Sequence, residues 1–308
     1  SAGAMGELDR PILPLTKVER TLFGKQLGTY FLDSNFTPDF PRAADLWRAR
    51  WRHEAGDDID GVFVIDPVAV SYLMGDAGVL QVDGRTLTRD NLVTEVEHLA
   101  YLRYDNQFEQ DDFFNAVARA AFDGFAGGGG VPLEIVQGLA RGVDEGRIRM
   151  HLFDDAQQEI IDGTAIAGEL VDTATTHSPQ VGVYLNDGTG AKMSVFLDYE
   201  VSVTSAGCDD GRQRLTGRLL ITSATPPNVR TLPDMVTGFP DDGFADSVRK
   251  GDQIVVANVY APVAGAIREV TIDGRRLEEP AIDRHGEREV ISLGLPLAPR
   301  HSRTVTWS

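Results

Sequence analysis

An arginine followed by a run of acidic residues is the part of the first half of the chain best suited to chemistry. Arg103 is followed by Asp105, Glu109, Asp111 and Asp112, so four carboxylates lie within eight residues. Carboxylate oxygens are the hard ligands that Mg²⁺ and Ca²⁺ prefer, and a cation held by them attracts phosphate groups. The residue types therefore predict a candidate metal site at Asp105, Asp111 and Asp112, with Mg²⁺ as the candidate cofactor.

The same acids also have a structural interpretation, which we favour. Asp111 and Asp112 precede a segment with helical spacing that runs to residue 125, and the helix dipole stabilises acids in a first turn. Asp105 is a typical turn residue. Under this interpretation the run is a solvated helix start.

Three segments before this run are expected to position it. Gly61–Ile65 is apolar and of strand length, and we interpret it as a buried strand. Asp66 is a candidate ligand at the end of this strand, although its better role is to cap a helix over Pro67–Met74, because proline suits the first helical position. A second helix, capped by Thr88 and ending at residue 102, then delivers Arg103 to the edge of the predicted sheet.

Two more aspartates border the entry to the first long helix, which is expected over residues 41–54. Asp33 and Asp39 could face the same sheet edge as the acidic run, and Asp33 is a candidate ligand-binding residue for that reason. Turn and capping roles also explain both aspartates.

The apolar pattern changes from about residue 181 onward. Odd positions from Met193 to Val203 are apolar and the even positions between them are mostly polar, which indicates a strand with one packed and one wet face. Further strands are expected around residues 215–221, 254–260, 266–272, 290–293 and 304–307, with turns at 209–211 and 273–274. We therefore expect an α+β chain, with an α/β domain over 1–177 and an antiparallel, immunoglobulin-like β-sandwich over 178–308.

Composition excludes several classes of protein. The chain has 308 residues and a formal net charge of -18, so its field repels a phosphate backbone, and nucleic acid is not an expected partner. Its single cysteine, Cys208, cannot form an internal disulfide, and the six histidines are scattered. Sequence motifs for a serine nucleophile or a zinc peptidase are missing.

Three segments carry a resemblance to a known family. Residues 35–41 (NFTPDFP), 60–73 (DGVFVIDPVAVSYL) and 183–193 (VYLNDGTGAKM) resemble the membrane-anchored actinobacterial envelope proteins that are known only as a domain of unknown function. The resemblance extends over nearly the whole chain. It implies an extracytoplasmic protein that is membrane-anchored in its full-length form, with the anchor outside this chain.

A more distant resemblance bears on chemistry. Residues 59–125 resemble part of the LytR-CpsA-Psr phosphotransferase domain, which moves a lipid-pyrophosphate-linked glycopolymer onto the cell wall. The run Leu99-Ala100-Tyr101-Leu102-Arg103 fits the start of its arginine motif, and Asp112 fits its acidic position. The resemblance thus implies Arg103 and Asp112 as candidate catalytic residues. Arg103, together with Asp105, Asp66 and Asp33 from the residue pattern, completes the set of candidate ligand-binding residues.

The chain departs from that motif where the motif needs positive charge. The second arginine is replaced by Asp105 and the next by Asn115, while the final Arg-Gln pair falls on Ala118 and Arg119. A diphosphate needs clustered guanidinium groups, because their bidentate bonds offset its desolvation. We expect a degenerate fold that binds a glycan or polyprenyl-linked ligand in envelope polysaccharide assembly or attachment. The alternatives are an active, metal-assisted glycopolymer phosphotransferase and a non-catalytic envelope scaffold.

Overall fold

A computed structural model describes residues 5–75, 78–126, 132–171, 179–209, 211–238 and 248–308. The chain divides into two compact units, Ser1–Leu170 and Val171–Ser308. The predicted domain boundary between residues 177 and 178 lies outside the described residues. The structure as described is of mixed α+β class with several antiparallel sheets, as the sequence predicts.

The first unit is mainly helical. Its helices α1 to α9 span Lys17–Phe23, Gln26–Thr29, Phe40–Ala55, Pro67–Met74, Leu92–Thr94, Ala100–Arg103, Gln107–Ala126, Pro132–Asp144 and Asp155–Gln158. A 3-10 segment covers Phe31–Phe36, and a π-helical turn, Glu95–Leu99, joins α5 to α6. The strands β1 to β4 span Gly61–Ile65, Val79–Val82, Arg85–Thr88 and Ile148–Leu152.

Both strand pairs of this unit are antiparallel. β1 pairs with β4, placing Gly61 opposite Leu152, and β2 pairs with β3 around a turn at Asp83 and Gly84. Both turn residues have positive φ, as a tight two-residue hairpin requires.

The sheet of an α/β domain is not seen among the described residues of this unit. β1 has the predicted bounds, but it belongs to a two-stranded sheet, and the side chain of Phe63 is 55% exposed. The interpretation of β1 as a buried strand was therefore wrong. A short apolar run does not show whether one or both of its faces will be covered.

The core of this unit lies around the β2–β3 hairpin and the helices α4 to α7. Leu87, Leu92, Ala100 and Phe113 are fully buried there and pack in one apolar cluster. This cluster therefore holds in place the two helices that carry the candidate residues. Arg103 ends α6, and Asp111 and Asp112 lie on α7.

Two predicted helix starts in this region were wrong. Helical structure begins at Leu92, because the side-chain oxygen of Asn91 accepts a hydrogen bond from the backbone of Thr88 (2.8 Å) and holds the chain in a turn. α7 begins at Gln107, with the side chain of Asn106 accepting from the backbone of Glu109 (3.0 Å). Asp111 and Asp112 consequently lie in the second turn of α7 and not in the first.

The second unit is built from antiparallel strands. β5 to β13 span Gly182–Asp187, Leu197–Asp209, Arg212–Ser223, Gln253–Tyr260, Thr271–Ile272, Arg275–Arg276, Ile282–His285, Arg288–Leu297 and Ser302–Trp307, with the short helix α10 at Asp234–Thr237. They form a five-stranded sheet in the order β10-β9-β13-β7-β6 and a four-stranded sheet in the order β11-β12-β8-β5. One apolar cluster draws side chains from both sheets, including Leu219, Val305, Val259 and Leu295.

Two of the strands predicted for this unit need correction. Of the strand predicted over 266–272, only Thr271–Ile272 forms a strand. β6 begins at Leu197, because Ser194–Phe196 forms a 3-10 turn. Of its apolar residues that were expected to pack, Leu197 does so, whereas Tyr199, Val201 and Val203 are exposed. The predicted turn at 209–211 includes residue 210, which lies outside the described residues.

Candidate functional site

Arg103 is the last residue of α6, and an acidic side chain already occupies part of its guanidinium group. Its Nη2 donates to Oε2 of Glu95 at 2.7 Å, and both side chains are largely buried. Eight residues are slightly more than two α-helical turns, and the wider π-helical turn between them brings Glu95 and Arg103 onto one face. Sequence reasoning missed Glu95, because side chains meet on a regular α-helix at spacings of three or four residues and not of eight.

The other terminal nitrogen of Arg103 is an unsatisfied donor. Nη1 is buried and has no hydrogen-bond partner among the described residues. Its guanidinium carbon lies 5.7 Å from the ring centre of Tyr104. Arg103 therefore has one terminal nitrogen without a partner among the described residues, while Glu95 balances its charge.

Aromatic side chains of α6 and α7 cluster in this region. Ring centres are 5.6 Å apart for Tyr101 and Phe114, 5.4 Å for Tyr104 and Phe113, and 5.9 Å for Phe113 and Phe114. Burial raises the pKa of the Tyr101 hydroxyl to about 12, and nearby acids add to the rise, so it stays protonated at neutral pH.

The predicted metal ligands do not assemble. Asp105 and Asp112 are exposed and Asp111 is half-buried. Among the described residues, no group of three His, Cys, Asp or Glu side chains is placed to hold a metal ion, and the trio Asp105, Asp111 and Asp112 therefore does not form one.

Asp66 has the capping role that the sequence favoured, together with an ion pair that it did not predict. Its Oδ1 accepts from the backbone of Ala69 at 2.7 Å, and its Oδ2 lies 2.7 Å from Nη1 of Arg147. Asp33 lies in the 3-10 segment Phe31–Phe36, where its charge contributes, after burial, to a raised pKa of Tyr30. Asp66 thus has a local structural role.

Arg147 connects Asp66 to a second group of charges. Its Nε donates to Oε2 of Glu145 at 2.8 Å, and the same carboxylate accepts from the Tyr72 hydroxyl (2.8 Å) and from Nε of Arg141 (2.8 Å). Hydrogen bonds from Arg141, then Tyr72 and Arg147, lower the pKa of Glu145 to about 2. Two acids and two arginines balance, so this cluster stabilises the junction of α4, α8 and β4 and leaves no net charge for a ligand.

A buried polar group in the second unit also has a structural explanation. Arg288 is almost fully buried and donates to the backbone oxygens of Ala261 (2.7 Å), Gln180 (2.9 Å) and Val171 (3.3 Å). Burial lowers the pKa of this guanidinium group. All three acceptors are backbone oxygens, so Arg288 serves to fix the start of the unit.

Comparison with known proteins gives one match. Residues 1–101 match the model of a family described as a protein of unknown function (DUF4012), which covers roughly a third of the 308-residue chain. No curated protein and no solved structure matches the chain. The match supports similarity to a domain of unknown function over the region that contains residues 35–41 and 60–73, and it ends two residues before Arg103.

Among the residues that the structure describes, no helix combines the length and the apolar character needed to cross a bilayer.

Proposed function

We propose that this chain is the extracytoplasmic part of a membrane-anchored cell-envelope protein that binds a glycan or polyprenyl-linked ligand beside Arg103 without transferring it. The observation that carries the proposal is the state of the Arg103 side chain. One terminal nitrogen is held by Glu95, and the other is buried without a partner among the described residues. Buried donors of this kind are normally satisfied, so a ligand acceptor is the missing partner in this proposal.

The charge of the pair favours a neutral acceptor over a diphosphate. Glu95 lies 2.7 Å from Nη2 and offsets the positive charge of Arg103, so a ligand with two or more negative charges would meet a carboxylate as well as a guanidinium group. A sugar hydroxyl has no such conflict. The proposal therefore places the glycan portion of the ligand at Arg103.

The aromatic side chains next to Arg103 suit the same class of ligand. Tyr101 and Tyr104 lie on either side of the arginine in sequence, and the ring of each contacts a phenylalanine ring of α7 in a tilted arrangement. A mostly apolar wall with a few polar groups is the usual composition of small-molecule sites. This composition suits a sugar ring or a prenyl chain better than a free phosphate.

The envelope location and the ligand class come from the two resemblances described for the sequence. Residues 1–101 are similar to a family without a stated activity, so they support no particular reaction. We further propose that the two sheets of the second unit form a β-sandwich, which their shared apolar cluster supports.

The test compares ligand binding by the wild-type chain and a charge-neutral pair variant. Replacing Arg103 alone would leave Glu95 without its cation, so the informative variant is Glu95→Gln with Arg103→Gln, which keeps a neutral pair. Arg119→Gln, at an exposed position of α7, is the control. Titration calorimetry with a cell-wall oligosaccharide should show binding that the double variant weakens at least about tenfold, because a hydrogen bond from a charged donor is lost.

Three outcomes decide between the alternatives. Transfer of a lipid-pyrophosphate-linked glycan in the presence of Mg²⁺ would overturn the non-catalytic part of the proposal. Equal binding by the wild type and the double variant would remove Arg103 from the site. Failure to bind either the oligosaccharide or a short-chain polyprenyl phosphate would favour an envelope scaffold.

A further inference from the structure

β6 is an outer strand of the five-stranded sheet, and most of its residues are exposed. It pairs with β7 along one edge, and no described strand pairs with its other edge. Its regular part runs from Leu197 to Ser205, where a bulge between Ser205 and Gly207 interrupts the pairing. At about 3.3 Å per residue, these nine residues present an edge roughly 30 Å long.

One face of β6 lies on the same side of the sheet as the buried residues of β7. This face is apolar, and among the described residues its side chains are exposed. Directly paired residues share a face, and Tyr199 pairs with Ile221 while Val201 pairs with Leu219. Both β7 residues are fully buried, whereas Tyr199, Val201 and Val203 are 64%, 40% and 41% exposed. The apolar face of the five-stranded sheet therefore continues from β7, where it is buried, onto β6, where it is exposed.

The backbone groups of the same residues point to the open edge. The amide of Ala224 donates to the carbonyl of Phe196 at 2.7 Å, so in the adjoining ladder the even residues of β6 are hydrogen-bonded to β7. Hydrogen-bonded and non-hydrogen-bonded pairs alternate in an antiparallel ladder, so Tyr199, Val201 and Val203 direct their amide and carbonyl groups outward. Edges of this kind are usually blocked by lysine, proline or an inward charge, and residues 197–205 contain none of these at the inward positions.

We infer that the occupant of this edge is a second copy of the same chain, paired antiparallel through β6 about a two-fold axis at Val201. Val201 is the midpoint of the regular segment Leu197–Ser205, so this register uses its whole length. Val201 meets Val201 of the second copy, and Tyr199 meets Val203 on either side of the axis. The outward backbone groups of these residues then form hydrogen-bonded pairs between the two copies. The apolar side chains of the two β6 strands lie side by side on the same face of the joined sheet.

Charge complementarity on the opposite face supports a second copy. In this register Asp198 lies opposite Thr204 of the second copy, and Glu200 lies opposite Ser202, so each carboxylate meets a hydroxyl group and no acid meets an acid. Arg218 of β7 pairs with Ser202, which places it about 10 Å from Glu200 of the second copy, two strand spacings away and within reach of a long side chain.

Neighbouring registers are less favourable. Moving the axis to Glu200 sets the two Glu200 side chains directly opposite each other, and like charges in that position are destabilising. Moving it to Val203 leaves Tyr199 opposite the bulge at Gly207. The chosen register is the one that avoids acid pairs and keeps all three apolar residues in contact.

Association is tested by sedimentation equilibrium with the complete chain. The wild type should form a dimer, and Val201→Lys should raise the dissociation constant at least about tenfold, because two lysines would meet at the axis. Thr204→Lys is the matched control: it adds the same charge one face away, opposite Asp198 of the second copy, and should dimerise as well as the wild type or better. Because each copy carries a net charge of -18, added salt should also strengthen the dimer.

Cross-linking tests the register. In a Cys208→Ser background, Val201→Cys should form an intermolecular disulfide on mild oxidation, since paired residues have Cα atoms about 5.5 Å apart. Val203→Cys should not, because its two copies lie four residues out of register. A monomeric wild type, equal weakening by Val201→Lys and Thr204→Lys, or cross-linking at 203 in place of 201 would each overturn the inference.

Discussion

Two of the charged side chains that the sequence offered for chemistry are engaged in local structure. Arg103 is bound to Glu95, and Asp66 caps α4 while it pairs with Arg147. These pairings follow from elementary requirements: a partly buried charge needs a partner, and a helix start needs acceptors for its amides. At the scale of single residues, the second terminal nitrogen of Arg103 is a hydrogen-bond donor that has no partner among the described residues.

Asp66 should contribute to stability mainly as a cap. Replacing Asp66 with Ala removes an acceptor 2.7 Å from the backbone nitrogen of Ala69, and we expect the free energy of unfolding to fall by about 1 to 2 kcal/mol. Asp66→Asn is the matched control, because asparagine caps helices well but cannot pair with Arg147. Urea denaturation followed by circular dichroism measures both, and equal losses would show that the ion pair dominates.

Glu145 should make stability depend on pH under acidic conditions. Hydrogen bonds from Arg141, Tyr72 and Arg147 lower its pKa from an ordinary 4.5 to about 2 in the folded chain. The unfolded chain therefore binds the proton first as pH falls, and the stabilisation by Glu145 is present above pH 4.5 and is lost between about pH 4.5 and 2.

The measurement for Glu145 is a series of urea unfolding curves across that range. Glu145→Gln should flatten the pH dependence, whereas Glu159→Gln, at an exposed position of the same unit, should leave it unchanged. A wild-type pH profile that Glu145→Gln does not alter would contradict the assignment.

At the scale of elements, the sequence predicted the bounds of a strand or helix correctly where a local signal marks its end. β1 and α4 have the predicted bounds, because Asp66 caps the helix directly after the strand and Pro67 is its first residue. The start of α7 was missed because Asn106, five residues before Asp111, provides the cap. A chain with several adjacent capping residues does not show which of them will be used.

Close packing of β7 against β13 depends on a glycine. Gly217 pairs with Trp307, and a Cβ at position 217 would overlap the indole ring. Gly217→Ala should therefore lower the free energy of unfolding of the second unit by about 1 to 3 kcal/mol through overpacking. Gly294→Ala in β12 is the control, because a Cβ there meets nothing within 4 Å. Thermal denaturation of both variants measures the difference, and similar melting temperatures would contradict this packing.

At the scale of the whole molecule, the division into two compact units predicts that the second unit folds independently. Arg288 is buried and donates to the backbone oxygens of Val171 and Gln180, so the second unit needs its chain from residue 171 onward. A fragment of residues 171–308 should fold alone with cooperative unfolding. A fragment of residues 181–308 should be less stable by about 1 to 3 kcal/mol, because two acceptors of a buried cation are lost.

Circular dichroism and urea denaturation of the two fragments check this prediction. The longer fragment should show a strand-rich spectrum and a single transition. An unfolded longer fragment, or equal stability of the two, would show that Arg288 does not fix the start of the unit.

The sequence by itself determined the α+β class, the bounds of β1 and α4 and the antiparallel strands of the second unit, because these depend on apolar periodicity and on capping or turn residues close in the chain. Only the tertiary structure decided which of these surfaces are covered. The period-two pattern of β6 predicted a packed face, yet Tyr199, Val201 and Val203 are exposed, and Arg147 meets Asp66 across 81 residues. Burial and ion pairing depend on which distant segment arrives opposite, and no local spacing carries that information.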